Sequence, residues 1–464
     1  MNYEILFRDL GDRQVQVALA GAAGGFSRTL LAQLRLIPRF TVTALCDLDT
    51  EAVLALLAEL GYPPGAAVCD DAAAVRAAVA AGHIAILRDH ALLQSVPHDI
   101  VVEATGNPEI GARIAVDAIA RGAHVAMASK EPDSVVGPHL NRLATQKGLV
   151  YTAVDGDQPA NLIGLVTWAR LLGLEVVAAG KSSEYDFVFD HATGAVTWTD
   201  RQCAAPEVAA LWMLGDDIPA TLAARAAALA ALPQSATPDY CEMNVVANST
   251  GLVPACDALN YPLCRITELA DVFAPRADGG ILDRTGVVDV FNCLRRPEEA
   301  SFGGGVFVVV RCGDAVTWDL LRGKGHVVSR NGKYAAIFLP YHLMGVETPV
   351  SLLSAVAHGR ASSSDRANVH AVMVARTERD FAAGETLRMG GHHHVMDDCT
   401  PLLLPAAQAA GLAPFYLAAN KRLSAAVPKG TLVTEAALEL EGSALQALRR
   451  DVLLPPPDPH RRQA

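Results

Sequence analysis

Two lysines follow apolar segments that have the pattern of buried strands. Lys130 comes after the segment 124–128, and Lys181 comes after the segment 174–179. A cation or hydrogen-bond donor at such a place can stabilise the developing charge on the oxygen of an alcohol or a carbonyl group. A desolvated lysine can also act as a general acid or base. The pattern therefore predicts chemistry at an oxygen-bearing carbon of a small molecule.

Three further residues complete the candidate catalytic set of Lys181, Asp157, Lys130, Glu242 and His342. Asp157 follows a strand in a loop with Gly156 and Pro159, where it either orients Lys181, binds a substrate hydroxyl or caps a helix. Glu242 opens an apolar helix, either as a first-turn charge or as a carboxylate in a cleft. His342 is either a proton carrier or a packing residue.

The histidine run 392–394 is the one segment with several metal-binding side chains, but it lacks regular ligand spacing and lies among glycines. We interpret it as a solvated turn and predict no resident metal. The nine cysteines contain no CxxC pair, so the sequence indicates neither a disulfide framework nor a structural zinc site. A divalent ion becomes relevant if the substrate is phosphorylated.

Alternating strands and helices must position these residues. Strands are predicted at 15–20, 40–46, 99–104, 124–128 and 149–154, and helices at 28–36, 50–60, 70–81 and 110–121. Alternation of this length predicts a parallel sheet with right-handed crossovers. Lys130 and the loop 105–108 then lie at the carboxyl edge of the sheet, which is where such folds bind ligands.

A glycine-rich turn after the first strand indicates a nucleotide site. Its spacing, Gly21-x-x-Gly24-x-x-Ser27, departs from GxGxxG, and Gly25 partly compensates. Asp47 ends the second strand, where a carboxylate binds both ribose hydroxyls and repels a 2′-phosphate, so NAD is favoured over NADP unless a side chain such as Arg8 folds over the site. The predicted cofactor-binding residues are Gly21, Gly24, Gly25, Phe26, Asp47, Thr105, Gly106 and Lys130.

Several of these segments resemble the homoserine-dehydrogenase-like oxidoreductases. The resemblance begins with the segments 21–27, 103–109 and 129–131. The segments Gly156-Asp157-Gln158-Pro159, Ala178-Ala179-Gly180-Lys181 and Leu339-Pro340-Tyr341-His342-Leu343 narrow it to a subgroup with a C-terminal SAF domain. That subgroup includes deoxyxylulose-phosphate-reductoisomerase-like enzymes.

The resemblance covers roughly the whole chain and implies three domains. These are a Rossmann domain over 1–150, a catalytic and dimerising α/β domain over 151–367, and a small β-rich SAF-like module over 368–455, followed by a disordered tail. The resemblance also implies that Lys130 lies near the nicotinamide or the substrate. A lysine is expected near Tyr240 and Cys241, and its absence leaves the substrate open.

Composition limits the class of protein. The chain has 464 residues and a formal net charge of −12, with 51% apolar and 19% charged residues. The acidic balance argues against nucleic acid as the main ligand, and no apolar run has the length of a membrane span. We therefore expect a cytoplasmic enzyme with a small-molecule substrate and no membrane partner, and the resemblance implies a homo-oligomeric state.

Three functions follow from these observations. The leading prediction is an NAD(P)-dependent oxidoreductase that transfers a hydride to or from a small polar hydroxy or oxo compound. The first alternative is a reductoisomerase acting on a sugar phosphate, which would need a phosphate pocket, with Arg276, Arg284 and Lys324 as candidates. The second alternative is a regulatory protein that binds a nucleotide or sugar without turnover, which the altered glycine pattern favours.

Overall fold

The computed structural model describes residues 2–391 and 393–452. This part of the chain has a mixed α/β fold with a seven-stranded parallel sheet and a larger mixed sheet, which confirms the predicted fold class. None of the helices described in it is long and apolar enough to cross a membrane. His392 and the predicted tail 456–464 lie outside the described residues.

The first sheet has the Rossmann-like order β3-β4-β2-β1-β5-β6-β7. Its strands are β1 Val15–Ala20, β2 Phe40–Cys46, β3 Ala66–Cys69, β4 Ile84–Leu87, β5 Ile100–Glu103, β6 His124–Met127 and β7 Tyr151–Ala153. The chain order reverses between β1 and β5, and ligands of open α/β sheets bind outside the carboxyl ends of the strands at such a point. β3 and β4 were absent from the sequence prediction because each is only four residues long and follows an alanine-rich or glycine-rich segment.

Helices cover both faces of this sheet. They are α1 Tyr3–Leu6, α2 Gly25–Leu34, α3 Thr50–Glu59, α4 Ala72–Ala80, α5 Pro108–Arg121 and α6 Lys130–Gln146. The next helix, α7 Gln158–Leu171, packs on the second sheet instead. α6 was not predicted, because Pro132 and Pro138 lie within it. Pro132 is tolerated in the first turn, where backbone N–H groups lack intrahelical partners. As a result, Lys130 is the first residue of a helix.

The second sheet is mixed and has β8 near its centre. Its strands are β8 Val176–Ser182, β9 Phe187–Asp190, β10 Ala195–Trp198, β11 Arg201–Ala204, β12 Val253–Pro254, β13 Leu263–Cys264, β14 Val287–Arg295, β15 Val306–Arg311, β16 Val327–Val328 and β17 Tyr334–Leu339. The accompanying helices are α8 Ile218–Ala228, α9 Thr237–Thr250, α10 Leu269–Val272, α11 Ala315–Gly323 and α12 Thr348–His358. Every residue of β8 is buried, between parallel β14 and antiparallel β15.

The C-terminal part contains β18 Ala371–Thr377, β19 Met389–Gly390, β20 Val395–Met396, β21 Cys399–Pro405, α13 Phe415–Ala418 and α14 Ala444–Val452. β18 and β21 form an antiparallel pair. The segments 384–387 and 429–433 form no ladder of strands. Each segment makes a single bridge, at Thr386 and at Leu432, and begins beside a glycine with positive φ that turns the chain.

The loop between β17 and α12 packs on α2 and fixes the position of His342. Gly345 in this loop has φ +76°, and a Cβ added there would lie 2.2 Å from Thr29 Oγ1 and 2.9 Å from both Leu30 N and Phe26 O. The backbone of α2 cannot yield without disturbing the nucleotide turn that precedes it. This contact therefore links the candidate catalytic loop to the first sheet.

We predict that Gly345→Ala lowers the free energy of unfolding by about 1–3 kcal/mol more than Gly359→Ala does, measured by urea denaturation. Gly359 also has positive φ, +59°, but an added Cβ there meets no atom within 4 Å. Both substitutions carry the left-handed backbone cost of about 1–2 kcal/mol, so their difference isolates the contact with α2. Equal losses in the two variants would contradict the tight packing.

Candidate active site

The glycine-rich turn connects β1 to α2 at the switch point of the sheet. Gly21 has φ +78°, and a Cβ there would lie 2.2 Å from the Ala104 carbonyl oxygen, so only glycine lets the turn pass the end of β5. Ser27 Oγ donates to the Gly21 carbonyl at 2.7 Å, and Phe26 packs partly buried against the core. Phe26 and Ser27, which stand where the turn departs from the GxGxxG pattern, therefore stabilise it.

The N-terminus of α2 is suited to a pyrophosphate. Gly24 is the N-cap residue, no side chain caps the helix, and a Cβ added at Gly25 would point into open space. First-turn N–H groups of a helix lack intrahelical partners and attract anions. A cavity of about 280 Å³ adjoins the turn and is lined by residues that include Gly21, Asp47 and Thr105. These residues fit a dinucleotide.

The loop after β5 is held by the buried carboxylate of Glu103, the last residue of that strand. Glu103 Oε1 accepts hydrogen bonds from Thr105 N, at 2.9 Å, and from Thr105 Oγ1. Burial raises the pKa of Glu103 to about 7, although the bonds from Thr105 oppose this. Gly106 N donates to Ser129 Oγ at 2.9 Å, which ties the nucleotide loop to the residue before Lys130.

Next to this loop, five charged side chains form a cluster, which we call the charge cluster: Lys130, Asp157, Lys181, Asp239 and Glu242. Lys130 Nζ lies 2.9 Å from Asp157 Oδ2 and 3.6 Å from Glu242 Oε1. Lys181 Nζ donates to Glu242 Oε2 and, at 2.6 Å, to Asp239 Oδ1. Glu242 therefore bridges two lysines.

Four elements supply the charge cluster. Lys130 is the first residue of α6, and Asp157 caps α7 by accepting from Gln158 N at 3.0 Å. Lys181 belongs to β8, and Asp239 and Glu242 are three residues apart on α9, hence on one helix face. The charge cluster lies where the carboxyl edge of the first sheet meets the second sheet.

Three expectations about these residues need correction. Lys181 does not follow its strand but lies within β8, which continues to Ser182, and it is fully buried there. Asp157 caps α7, which was one of the alternatives, but it pairs with Lys130 and does not orient Lys181, which the neighbouring Gln158 contacts at 2.9 Å. Glu242 is not in the first turn, because α9 begins at Thr237.

The electrostatics keep both lysines charged. Burial alone would lower the pKa of Lys130, but Asp157 and Glu242 raise it above the usual lysine value. Burial likewise opposes the charge on Lys181, and Asp239 and Glu242 raise its pKa. The predicted role of a lysine as a general base therefore does not fit the site, since an ammonium group donates hydrogen bonds and accepts none.

Two carboxylates of the charge cluster, Glu242 and Asp157, differ in the direction in which their pKa values are shifted. Burial raises the pKa of Glu242, and Lys181 and Lys130 oppose this. Burial also disfavours the charge on Asp157, but Lys130 and His342 hold the pKa of Asp157 below its usual range. Asp157 is thus a permanent anion beside Lys130.

Two side chains of the site reach its accessible edge. Lys130 is 27% exposed and His342 is 23% exposed, whereas the side chains of Lys181, Asp239 and Glu242 are 0–5% exposed. His342 Nε2 lies 3.6 Å from Asp157 Oδ1 and is buried without a hydrogen-bond partner among the described residues. A substrate can therefore contact the Lys130 ammonium group and the exposed part of the His342 ring.

The structure adds residues that the sequence reasoning missed. Asp239 and Gln158 hold Lys181, and Ser183 Oγ donates to Asp239 Oδ2 at 2.9 Å. His394 Nδ1 contacts Glu131 Oε1, and the ring of His394 covers Gly106. The spacing of Asp239 and Glu242 on one helix face was a usable signal, whereas the contact of His394 joins residues more than 260 positions apart.

Other candidates lie elsewhere. His393 Nδ1 is 3.5 Å from Glu184 Oε2, and within residues 2–391 and 393–452 no group of three or more metal-binding side chains is arranged to hold an ion. Arg276 pairs with Asp283 at 2.7 Å, and Arg284 donates to the Pro254 carbonyl at 3.0 Å. Lys324 caps α11. These contacts do not form a phosphate pocket at the charge cluster.

The central part of the chain matches a known family. The family model of the catalytic domain of oxidoreductase DRL matches residues 156–348, which include Asp157, Lys181, Glu242 and His342. No curated protein matches the chain. The match supports the predicted oxidoreductase class for this segment, which is less than half of the chain.

Solved structures resemble parts of the fold. An oxidoreductase domain protein from Kribbella flavida is 18% identical over 37% of this chain and 44% of its own, with a TM-score of 0.27. A probable dehydrogenase from Thermotoga maritima is 10% identical over 76% and 91%, with a TM-score of 0.38. The 1-deoxy-D-xylulose 5-phosphate reductoisomerase from Zymomonas mobilis, solved with NADPH, is 20% identical over 37% and 46%, with a TM-score of 0.28.

The chain thus spans less than half the length of the first and third of these proteins. At such identities and scores, the likeness carries no argument about function.

The buried Glu103 predicts a pH dependence of stability. Its folded-state pKa, about 7, is above the usual value of 4.5, so the folded state binds more protons between these two values. The free energy of unfolding contributed by this group therefore falls as pH rises through this window. We predict that Glu103→Gln removes a fall of about 1–3 kcal/mol between pH 4.5 and 7.5, measured by urea unfolding at several pH values. If the free energies of unfolding of wild type and Glu103→Gln differ by the same amount at every pH, the assignment of a raised pKa to Glu103 is contradicted.

Proposed function

We propose that the protein is an NAD(P)-dependent oxidoreductase that transfers a hydride to or from a small polar hydroxy or oxo compound. One observation carries this proposal: Lys130 is a partly exposed ammonium group, paired with buried Asp157 and Glu242 and adjacent in sequence to Ser129, which holds the nucleotide loop. A charged donor beside a nucleotide site is what carbinol oxidation or carbonyl reduction needs.

The cofactor would be held by the glycine-rich turn, the first-turn amides of α2 and the loop Thr105–Gly106. When bound, NAD(P) supplies the hydride acceptor or donor. Asp47 lines the same cavity, and its carboxylate supports the earlier expectation of a contact with the ribose. The pair of His394 and Glu131 borders this loop at Gly106.

Lys130 would donate a hydrogen bond to the substrate oxygen. As negative charge develops there, the ammonium group is already oriented by Asp157 and Glu242, so little reorganisation is needed. His342 would exchange the hydroxyl proton, because part of its ring is exposed at the site and its Nε2 has no hydrogen-bond partner among the described residues. Glu242, Lys181 and Asp239 would act as positioning residues.

Finer features remain part of the proposal and rest on the sequence resemblance. They are a homoserine-dehydrogenase-like mode of action, an SAF-like nature of the C-terminal module and a homo-oligomeric state. A cytoplasmic location is proposed from the composition. The boundaries near residues 150 and 368 are proposed on the same basis.

We predict turnover of one or more members of a panel of polyols, hydroxy acids, homoserine and deoxyxylulose phosphate, followed by nicotinamide absorbance. Lys130→Met should lower kcat/KM by about 100-fold or more, since loss of one donor to a developing oxyanion has this magnitude. Nucleotide affinity, measured by titration calorimetry, should stay within about 3-fold of wild type, because Lys130 acts on the substrate oxygen.

The matched control is Lys324→Met, because Lys324 is an exposed lysine at the end of α11, and it should retain wild-type kcat/KM. Turnover by Lys130→Met at the wild-type rate would overturn the assignment. Nucleotide binding without turnover of any panel member would instead favour the regulatory alternative.

A further inference from the structure

The adenosine end of the proposed nucleotide site is formed by the neighbouring strands β2 and β4. Cys46 and Leu87 are paired at their carboxyl ends, and Asp47 N donates to the Leu87 carbonyl at 2.9 Å. Arg88 follows Leu87 as Asp47 follows Cys46. Since adjacent strands lie about 4.8 Å apart, an acidic and a basic residue stand side by side at this edge.

Asp47 is engaged with the backbone. Its Oδ2 accepts from Ala23 N at 2.9 Å, within the glycine-rich turn, and its Oδ1 accepts from Asp49 N at 3.0 Å. Both oxygens therefore hold local structure, and each N–H dipole offsets part of the negative charge. The repulsion of a 2′-phosphate that the sequence alone predicts is weakened by this arrangement.

Arg88 is exposed and, within the described part of the chain, makes no ion pair or side-chain hydrogen bond. It lines the nucleotide cavity of about 280 Å³ and also an adjoining groove of about 480 Å³. His90 lines both spaces, and its Nδ1 is buried without a partner among the described residues. Asp70 and Asp89 line only the outer groove.

We propose that Arg88, together with His90, binds the 2′-phosphate of NADP(H), so that the site accepts NADP in spite of Asp47. This inference rests on the proposed function and assigns one part of its cofactor site. An unpaired guanidinium group can bind a phosphate through two parallel hydrogen bonds, and a histidine nitrogen can add a third. NAD lacks that phosphate and gains nothing from them.

The test is a pair of binding constants for NADPH and NADH, measured by fluorescence titration of the full chain without substrate. We expect Arg88→Gln to raise the Kd for NADPH about 10-fold or more and to change the Kd for NADH less than about 3-fold. Arg88→Lys should recover part of the NADPH affinity, because it retains the charge without the planar fork. Arg76→Gln, an exposed arginine on α4, is the matched control and should change neither Kd.

Each other outcome overturns the inference. If wild type binds NADH but not NADPH, Asp47 excludes the phosphate as the sequence predicts, and the proposed function stands. If Arg88→Gln weakens both nucleotides equally, Arg88 contacts a group that they share. If wild type binds neither nucleotide, the proposed function fails together with this inference.

Discussion

The bridge that Glu242 forms between Lys130 and Lys181 is the interaction on which the arrangement of the site depends. A buried lysine is tolerated only with a paired anion, because an isolated charge in the interior costs several kcal/mol. Lys181 is fully buried in β8, so Asp239 and Glu242 of α9 must lie against that strand. The same carboxylate then reaches Lys130 at the start of α6. Glu242 thus fixes the position of the first sheet relative to the second sheet.

This constraint gives the charged groups different roles. The inner pair of Lys181 and Asp239 has no exposed surface and serves to orient Glu242. Lys130 and His342, at the outer side, are the groups that a substrate can contact. Because Ser129 is bonded to the nucleotide loop and Lys130 follows it directly, the donor and the proposed cofactor site are linked by a single peptide unit.

The sequence predicted what depends on local patterns. β1 and β2 have the expected bounds, and the glycine turn, Asp47 and Thr105 meet at one cavity as the order of parallel strands requires. The prediction from sequence failed where contacts between residues far apart in the chain determine the structure. The short strands β3 and β4 and the proline-containing α6 lack a periodic signal. The burial of Lys181 was missed, because its anion partners lie about 60 residues away on a helix whose start was predicted five residues too late.

The proposed role of Lys130 requires that Asp157 and Glu242 keep it a cation under working conditions. The most direct measurement is the pKa of its ammonium group, followed by heteronuclear NMR on protein labelled with ¹⁵N-lysine and assigned with Lys130→Arg. We expect Lys130 of the wild-type protein to stay protonated up to at least about pH 10, near the ordinary lysine value. In Glu242→Gln, Lys130 should lose its proton at a lower pH. Deprotonation of Lys130 in the wild-type protein near neutral pH would contradict it.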